Sequence, residues 1–395
     1  MAVRAGREFL AIPGPTTMPD EVLRAMHRPA IDIYSGEMID LTEGLLSDLS
    51  RLFATKSRSH IYIANGHGAW EAVLTNILSH GDSILVLESG HFALGWGEAG
   101  RLLGVNVETL PGDWRRAVRS DEVEARLRAD TARAIKAVLV VQVDTASGVV
   151  NDIAAIAKAI KAAGHDALLL VDTVASLGCM PFEMDAWGVD VAMAASQKGL
   201  MSPPGLSFVA ANDRARERHQ YAGLRTPYWD WTARGGAEHY QKYAGTAPVH
   251  LLFALRAAID MLFAEGCKAA FTRHRLIAGA VRAAVGAWAR EGGLGFNIEA
   301  ERERADTVTA ILTPDAHDPV ALHDYCRDKC GVVLGVGLGD LTGKAFRIAH
   351  MGHTNAPMVI GTLGAVEMAL KALKIPHGAG GVDAAIGYLG NEVPA

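Results

Sequence analysis

Two apolar runs of this chain each lead directly to a charged residue. Residues 168–171 read Leu-Leu-Leu-Val and are followed by Asp172, and the run 189–195 is followed by Ser196-Gln197-Lys198-Gly199. Runs of this length and apolar character are typical of strands buried inside a sheet. A charge at the end of a buried strand is costly unless it has a partner. The pattern therefore predicts a sheet that holds a carboxylate and an amine at neighbouring strand ends.

The position of these two charges indicates a ligand site. Ligands of open α/β sheets bind beyond the carboxyl ends of the strands, and an amine buried there has a lowered pKa. Such an amine can form a Schiff base with an aldehyde, and a carboxylate can keep a pyridine nitrogen protonated. Lys198 and Asp172 are therefore predicted to hold pyridoxal phosphate. The alternatives are a surface or helix-capping Lys198 and an Asp172 that caps the next helix.

The order of the predicted elements indicates an α/β fold. Short β-rich runs alternate with helical patterns from about residue 60 to 210, which is typical of a doubly wound, mostly parallel sheet. Predicted helices include 71–78, 152–163 and 249–263. The seven predicted strands are 60–64, 83–88, 105–110, 137–143, 167–172, 189–195 and 206–210.

A second, α+β domain is predicted after residue 266, with strands at 308–312, 332–334 and 346–350. A chain of 395 residues exceeds the ~250–300 residues at which a single core stops growing. We expect an N-terminal arm at 1–20, a large domain at 21–263 and a small C-terminal domain at 264–395.

Charge and composition exclude several classes of partner. The net charge is −6 and no long basic block is present, so neither nucleic acid nor a membrane is an expected partner. No apolar run approaches the ~18–20 residues of a membrane span, and the N-terminus resembles no secretory signal. The four cysteines form no Cys-x-x-Cys pair, so a reducing compartment is expected and a metal site is not. The expected location is the cytoplasm.

Other residues join the predicted site with open alternatives. Gly66-His67-Gly68 separates a β-run from a helix, so its free N–H groups predict an anion site, although a tight turn is the alternative. Thr145 offers a hydroxyl at the same sheet edge or is a turn residue. Val174 covers a ring face or belongs to the core. Arg347, flanked by apolar residues, binds a substrate carboxylate or an internal acid.

The chain resembles the class V, fold-type I aminotransferases, and within them the alanine–glyoxylate and serine–glyoxylate group. The resemblance covers nearly the whole chain. It implies a large domain around a seven-stranded sheet and a smaller C-terminal α+β domain. The motifs that carry it are Ile12-Pro13-Gly14-Pro15-Thr16, Val171-Asp172-Thr173-Val174-Ala175-Ser176, Ser196-Gln197-Lys198-Gly199, Pro203-Pro204-Gly205, Thr246-Ala247-Pro248 and Gly343-Lys344-Ala345-Phe346-Arg347-Ile348.

The resemblance implies a role for each residue around the ring of the cofactor. Lys198 would form the Schiff base with pyridoxal phosphate and then move the proton between the substrate Cα and the cofactor. Asp172 would pair with the pyridine nitrogen, and Gln197 would bond near the ring hydroxyl. Phe92 would stack on the ring opposite Val174.

The resemblance also implies residues on the phosphate side and a second subunit. Gly66 and His67 look like phosphate-side residues, and Thr145 looks like a cofactor contact. Tyr243 and Thr246 look like the pair that reaches the phosphate of the neighbouring subunit. The active site would then exist only in a homodimer, or in a tetramer built from such dimers. Tyr243 belongs to an aromatic-rich stretch at residues 221–243, for which packing or an interface is the alternative.

For the substrate, the resemblance implies that Arg347 clamps a carboxylate and that Gly14 lines the same pocket. Many serine–glyoxylate enzymes carry a Tyr-Arg pair near the entrance. Here the corresponding stretch is Asp32-Ile33-Tyr34-Ser35-Gly36, so the arginine is missing and only Tyr34 is left to reach a neighbouring site.

The predicted function is a ping-pong aminotransferase that moves an amino group from a small L-amino acid, with serine or alanine favoured, to glyoxylate. The first alternative is the same scaffold with another pair, aspartate–glyoxylate or pyridoxamine–pyruvate. A lyase or desulfurase that uses the same cofactor is a second alternative. A non-catalytic or nucleotide-binding α/β protein is a third, but it leaves Asp172, Lys198 and Arg347 as unexplained charges in apolar settings.

Overall fold

The computed structural model describes residues 2–393. The strands are β1 (Phe9–Ala11), β2 (Ser59–Tyr62), β3 (Ser83–Leu87), β4 (Asn106–Leu110), β5 (Ile135–Val141), β6 (Val143–Asp144), β7 (Val149–Val150), β8 (Leu168–Asp172), β9 (Val191–Ala195), β10 (Ser207–Ala211), β11 (Gly295–Phe296), β12 (Val308–Leu312), β13 (Val332–Val336) and β14 (Ala345–Ala349). The helices are α1 (Asp20–Met26), α2 (Glu37–Leu52), α3 (Gly66–Ile77), α4 (His91–Leu102), α5 (Ser120–Ala129), α6 (Ile153–Ala162), α7 (Met184–Trp187), α8 (Asp213–His219), α9 (Trp231–Arg234), α10 (Val249–Glu265), α11 (Cys267–Trp288), α12 (Pro319–Tyr325), α13 (Ala356–Ala372) and α14 (Gly381–Glu392).

The larger sheet has seven strands in the order β2-β10-β9-β8-β5-β3-β4. All neighbouring pairs are parallel except those of β10, which runs antiparallel to β2 and to β9. The predicted seven-stranded, mostly parallel sheet is therefore confirmed. Because β8 and β9 are adjacent and parallel, their carboxyl ends lie at the same edge of the sheet.

Helices cover both faces of this sheet, and the side chains of each strand alternate between the two faces. Leu169 and Val171 belong to one core cluster together with residues of α2 and α10. Leu168 and Leu170 belong to another, together with residues of α3 and α4. Asp172 has the same parity as Leu168 and Leu170, so its side chain emerges on the face that α3 and α4 cover.

A second sheet has five strands in the order β1-β13-β14-β12-β11. Its central strands are antiparallel, whereas β1 pairs in parallel with β13. Helices α11, α13 and α14 pack around it in a core of their own. Strand β1 lies within residues 1–20 and was not predicted, since three residues show no periodicity and its partner is more than 300 positions away.

A short ribbon follows the central strand of the larger sheet and corrects one sequence prediction. A single strand was predicted over 137–143, but β5 ends at Val141. Strands β6 and β7 then form an antiparallel hairpin. Gly148 in its turn has φ +82°, and a Cβ there would lie 3.2 Å from the backbone nitrogen of Ala310. The turn therefore needs glycine for conformation and for its contact with β12.

The helix boundaries show which termini the sequence predicts well. Helix α6 begins after Asp152, whose carboxylate accepts from the Ala155 N–H as an N-cap, close to the predicted 152–163. Helix α3 begins at Gly66, so the prediction of 71–78 preceded by a glycine turn is wrong at its start. Asn65 caps α3, and this cap extends the helix through the glycines. Among the helices within residues 2–393, none combines the length and apolar character needed to cross a bilayer.

Two glycines near the end of α11 give a stability prediction. Gly286 is exposed inside the helix, and a Cβ there would meet open space, whereas a Cβ at Gly378 would lie 2.2 Å from the Ala287 carbonyl oxygen. Gly286→Ala should therefore raise the free energy of unfolding by roughly 0.5–1 kcal/mol through helix propensity. Gly378→Ala should lower it by about 1–3 kcal/mol through overpacking.

Thermal or denaturant unfolding of the two variants beside the unchanged chain measures this difference. Equal shifts in the two variants would contradict the packing described for this corner of the smaller sheet.

Candidate active site

A cavity of ≈ 500 Å³ lies at the carboxyl ends of β8 and β9 and extends to strands of the second sheet, β13 and β14. Ten of the thirteen residues predicted for the site line it. They are Gly14, Gly66, His67, Phe92, Thr145, Asp172, Val174, Gln197, Lys198 and Arg347. The prediction that charges at the ends of apolar runs converge on one site is thus matched by their positions.

Lys198 is buried three residues beyond the end of β9. Its Nζ donates a hydrogen bond to the carbonyl oxygen of Pro13, which belongs to the segment after β1. Burial, and then the positive charge of Arg347, lower the pKa of this amine to about 8. Gly14 has φ +103°, and a Cβ there would lie 2.7 Å from Lys198 Cδ and Cε. Only glycine allows the backbone to approach the lysine this closely.

Asp172 ends β8 and is 3 % exposed. Its Oδ1 accepts from the Val174 N–H at 2.7 Å, and its Oδ2 accepts from the indole Nε1–H of Trp70 at 2.7 Å. Burial raises the pKa of this carboxyl to about 6, against the opposing effect of the two hydrogen bonds. Trp70 also lines the cavity. It was not singled out from the sequence, because a tryptophan at a buried helical position is normally core.

Asp144 is a second buried carboxylate near the site, and it too was missed. Its Oδ2 accepts from the backbone N–H groups of Phe92 and Ala93 at 2.9 and 3.0 Å, and its Oδ1 accepts from Ala146 N–H at 3.0 Å. It therefore caps the first turn of α4 and holds Phe92 in place. A Cβ at Gly90 would lie 2.3 Å from the Asp144 carboxyl carbon, so this approach requires a glycine.

Arg347 on β14 lies buried between the two sheets. Its Nε donates to the Val336 carbonyl and its Nη1 to the Thr145 carbonyl, both at 2.8 Å. Burial lowers the pKa of this guanidinium to about 10. Within residues 2–393 no ion pair to Arg347 is present, so the alternative of an internal salt bridge does not apply there. The guanidinium faces the cavity with Nη2 free of hydrogen bonds to other described residues.

The start of α3 differs from its prediction in one respect. The N–H groups of His67 and Gly68 were expected to be free, but the Asn65 side-chain oxygen accepts from both, at 3.1 and 3.3 Å. A Cβ at Gly66 would lie 3.1 Å from Val174 Cγ2, so Gly66 is needed for close packing. The exposed ring of His67 lies against Trp70, with ring centroids 4.4 Å apart.

Three predicted residues lie away from the cavity of their own chain. The Tyr243 side chain is 1 % exposed, and its hydroxyl is within hydrogen-bond distance of the Thr42 hydroxyl, at 2.7 Å. Thr246 and Tyr34 are exposed. His323 of α12, which the sequence did not suggest, lines the cavity instead. A histidine in an ordinary amphipathic helix gives no signal that would distinguish it.

The family model described as Aminotransferase class-V matches residues 9–338. The chain belongs to the class-V aminotransferases. It is 38 % identical to a serine–glyoxylate aminotransferase of Methylorubrum extorquens, over 98 % of this chain and 97 % of that protein. It is 37 % identical to an L-aspartate–glyoxylate aminotransferase of Paracoccus denitrificans, over 92 % and 91 %. The crystal structure of a pyridoxamine–pyruvate aminotransferase from Mesorhizobium loti superposes with a TM-score of 0.90 at 27 % identity, covering both chains fully.

Membership of this family implies pyridoxal phosphate, and the aminotransferase cavity fits that group. A buried carboxylate and a buried amine lie at the same edge of the sheet, as the pyridine nitrogen and the aldehyde require. The side-chain oxygen of Gln197 is buried without a hydrogen-bond partner among the described residues, which is consistent with a missing polar ligand. Phe92 and Val174 both line the cavity and offer apolar contacts to a flat ring.

The lowered pKa of Lys198 gives a prediction for the cofactor-free protein. A small acylating reagent such as acetic anhydride reacts only with the uncharged amine. The labelling rate of Lys198 should therefore rise with a midpoint of about pH 8. Arg347→Met should move that midpoint upward, because it removes a neighbouring positive charge.

Peptide mass spectrometry after brief labelling at several pH values measures the rate, with exposed lysines as an internal reference. A midpoint near the ordinary value of 10.5 would show that the amine is not desolvated in this cavity.

Proposed function

We propose that this aminotransferase uses pyridoxal phosphate to move an amino group from a small L-amino acid, serine or alanine, to glyoxylate in a ping-pong cycle. One observation carries the proposal. Asp172, Lys198 and Arg347 are buried charges in a single cavity, and each matches one part of such a reaction. The similarity to serine–glyoxylate aminotransferases over nearly the full length supports the substrate pair.

The cofactor, when bound, supplies an electron sink for the bond that breaks at the substrate Cα. Asp172 would hold the positive charge of its pyridine nitrogen, and Gln197 would bond near its ring hydroxyl. Phe92 and Val174 would contact its two faces, with Thr145 beside it and Gly66 and His67 on its phosphate side. Lys198 Nζ would carry the proton away from Cα and return it. A pKa of about 8 suits this task, because the amine is partly uncharged near neutral pH.

Arg347 would orient the substrate. Two of its nitrogens are fixed by backbone carbonyls, so the guanidinium is held rigidly before any substrate arrives. Its remaining N–H groups can then bind a carboxylate with little loss of side-chain entropy. Gly14 lines the same cavity, and the wall beside the guanidinium is mainly apolar, with Val336 and Leu338. Such a wall offers no charged partner to a second carboxylate, which favours a donor with an uncharged side chain.

Another amino donor or acceptor is the second candidate. A relative at 37 % identity is named an L-aspartate–glyoxylate aminotransferase, and His323 adds a polar group to the cavity that a longer acidic donor could use. Pyridoxamine–pyruvate exchange is a further pair on this scaffold. A desulfurase has less support, because none of the four cysteines lines the cavity.

The proposed working unit is a cytoplasmic homodimer, or a tetramer of such dimers. Thr246 and Tyr34 are exposed and free to reach the cavity of a neighbouring subunit. Tyr243 would join them by exchanging its bond to Thr42 for the phosphate of the neighbour's cofactor.

We also propose that residues 21–263 and 264–395 are the large and small domains, with 1–20 as an arm. The separate cores around the two sheets support this division.

A spectroscopic cycle tests the proposed reaction. The purified holoenzyme should show the visible band of the bound cofactor, and L-serine or L-alanine should bleach it. Glyoxylate should then restore the band, because the second half-reaction regenerates the starting form. L-aspartate, added in place of the other donors, measures the second candidate. A band that no donor bleaches would leave the cofactor in place and refute the glyoxylate reaction.

A pair of lysine variants tests the role of the amine. Lys198→Ala removes the amine in the cavity, and Lys158→Ala, the matched control, removes an amine remote from it. Turnover should be lost in the first variant and unchanged in the second. Substantial transamination by Lys198→Ala would contradict the proton-transfer role.

Replacement of the substrate clamp gives a quantitative prediction. Arg347→Met should lower kcat/KM for L-serine and L-alanine by on the order of a hundredfold, the loss expected for a buried charge-assisted pair. Amines without a carboxylate should be affected much less, since they never use the guanidinium. Steady-state kinetics with both classes of donor measures the ratio. Equal losses for the two classes would mean that Arg347 supports the fold rather than the substrate.

A further inference from the structure

The carboxylate of Asp172 is held on both oxygens. Val174 N–H donates to Oδ1, and the indole Nε1–H of Trp70 donates to Oδ2, both at 2.7 Å. Asp172 and Trp70 are 3 % and 4 % exposed, so water does not compete for this bond. Two short bonds from rigid groups fix the plane of the carboxylate as well as its position.

Trp70 is itself held on several sides. It lies in the first turns of α3, and its ring stacks on that of Trp96, with planes 14° apart. The His67 ring covers another side at 4.4 Å between centroids. A Cβ at Gly95 would lie 3.3 Å from the edge of the Trp70 ring, so the backbone of α4 packs directly against it. The indole therefore has little freedom to move away from Asp172.

We propose that Trp70 is a positioning residue that orients the Asp172 carboxylate and keeps it ionised for the pyridine nitrogen of the cofactor. The last clause rests on the proposed function. The bond between Trp70 and Asp172 does not, because both of its partners belong to this chain.

The electrostatics around Asp172 explain why the carboxylate needs the Trp70 N–H to remain ionised. Burial disfavours the charged carboxylate, and the nearby Asp144 disfavours it further. Lys198, beyond the end of β9, and the Val174 and Trp70 N–H groups favour it. A hydrogen bond to the ionised form lowers a pKa. Without the indole N–H, the balance shifts toward a neutral acid, which cannot hold a protonated pyridine nitrogen.

The neighbouring Trp96 shows what a tryptophan with a packing role alone looks like. Trp96 is equally buried, but its indole Nε1 has no hydrogen-bond partner among the described residues. A tryptophan needed only to fill space can leave its N–H unused, as Trp96 does. Trp70 instead directs its N–H at the one carboxylate placed for the pyridine nitrogen. Trp96→Phe is therefore the matched control for Trp70→Phe.

The first test follows the thermal stability of the cofactor-free protein between pH 5 and pH 8. The folded chain raises the pKa of Asp172 to about 6 from the usual 3.8, so it binds this proton more tightly than the unfolded chain does. The stability that this proton contributes is therefore lost as pH rises from about 3.8 through about 6, and it is absent at pH 8. Trp70→Phe should raise the folded pKa further. Its deficit in melting temperature relative to Trp96→Phe should accordingly be larger at pH 8 than at pH 5.

The same comparison in an Asp172→Asn background shows whether Asp172 is the group responsible. There the difference between Trp70→Phe and Trp96→Phe should not depend on pH, because the titrating carboxyl is gone. A pH-independent difference in the chain that keeps Asp172, or an unchanged pH dependence in the Asp172→Asn background, would overturn the proposal.

The second test measures affinity for pyridoxal phosphate by fluorescence or absorbance titration. Trp70→Phe should weaken binding by on the order of tenfold relative to Trp96→Phe, the effect expected for one hydrogen bond to a charged group. Equal affinities of the two variants would show that Trp70 does not assist cofactor binding, and would leave its role in orienting Asp172 to the pH experiment. If the unchanged chain binds no pyridoxal phosphate, the proposed function fails, while the pH experiment still decides the role of Trp70.

Discussion

Burial of unlike charges at the ends of β8 and β9 is the constraint on which the rest of the site depends. Asp172 and Lys198 lie where side chains are almost free of water, and each loses solvation that only nearby protein groups or a ligand can replace. Asp144 and Arg347 bring the local set to two acids and two bases. The charges are balanced in number, yet described ion pairs join none of them directly. Neutral N–H groups donate to the two carboxylates, and the two cations donate to backbone carbonyls, so hydrogen bonds with neutral groups hold each charge in place.

The hairpin of β6 and β7 connects these charges across the two sheets. Asp144 caps α4 and so positions Phe92, while the carbonyl of the next residue, Thr145, accepts from Arg347 on β14. The Ser147 carbonyl in the same turn accepts from the Asn297 side chain at 2.8 Å. One short turn thus determines both the position of Phe92 and the orientation of the Arg347 guanidinium. The parts of the site cannot move independently, which favours a pre-organised cavity.

The sequence is informative about this site wherever a charge interrupts an apolar pattern. Asp172 and Arg347 are of this kind, and the seven strands of the larger sheet follow from the same patterns. Trp70 and Asp144 could not be found in this way, because a tryptophan on a helix looks like core and an aspartate before a turn looks like a cap. Their importance comes from which residues they meet, at separations of 102 and 52 positions. The capping of α3 by Asn65 was missed for a local reason, since one side-chain oxygen satisfies two N–H groups that a glycine turn seemed to leave free.

The contact between Lys198 and Pro13 ties the chemistry to the assembly of the whole chain. Pro13 follows β1, and β1 is held in the second sheet by its parallel pairing with β13. The amine that the larger sheet supplies therefore donates to a carbonyl that the smaller sheet positions. This carbonyl compensates part of the lost solvation of the amine, and Gly14 makes the close approach possible. A short strand with no signal of its own in the sequence thereby becomes part of the active site.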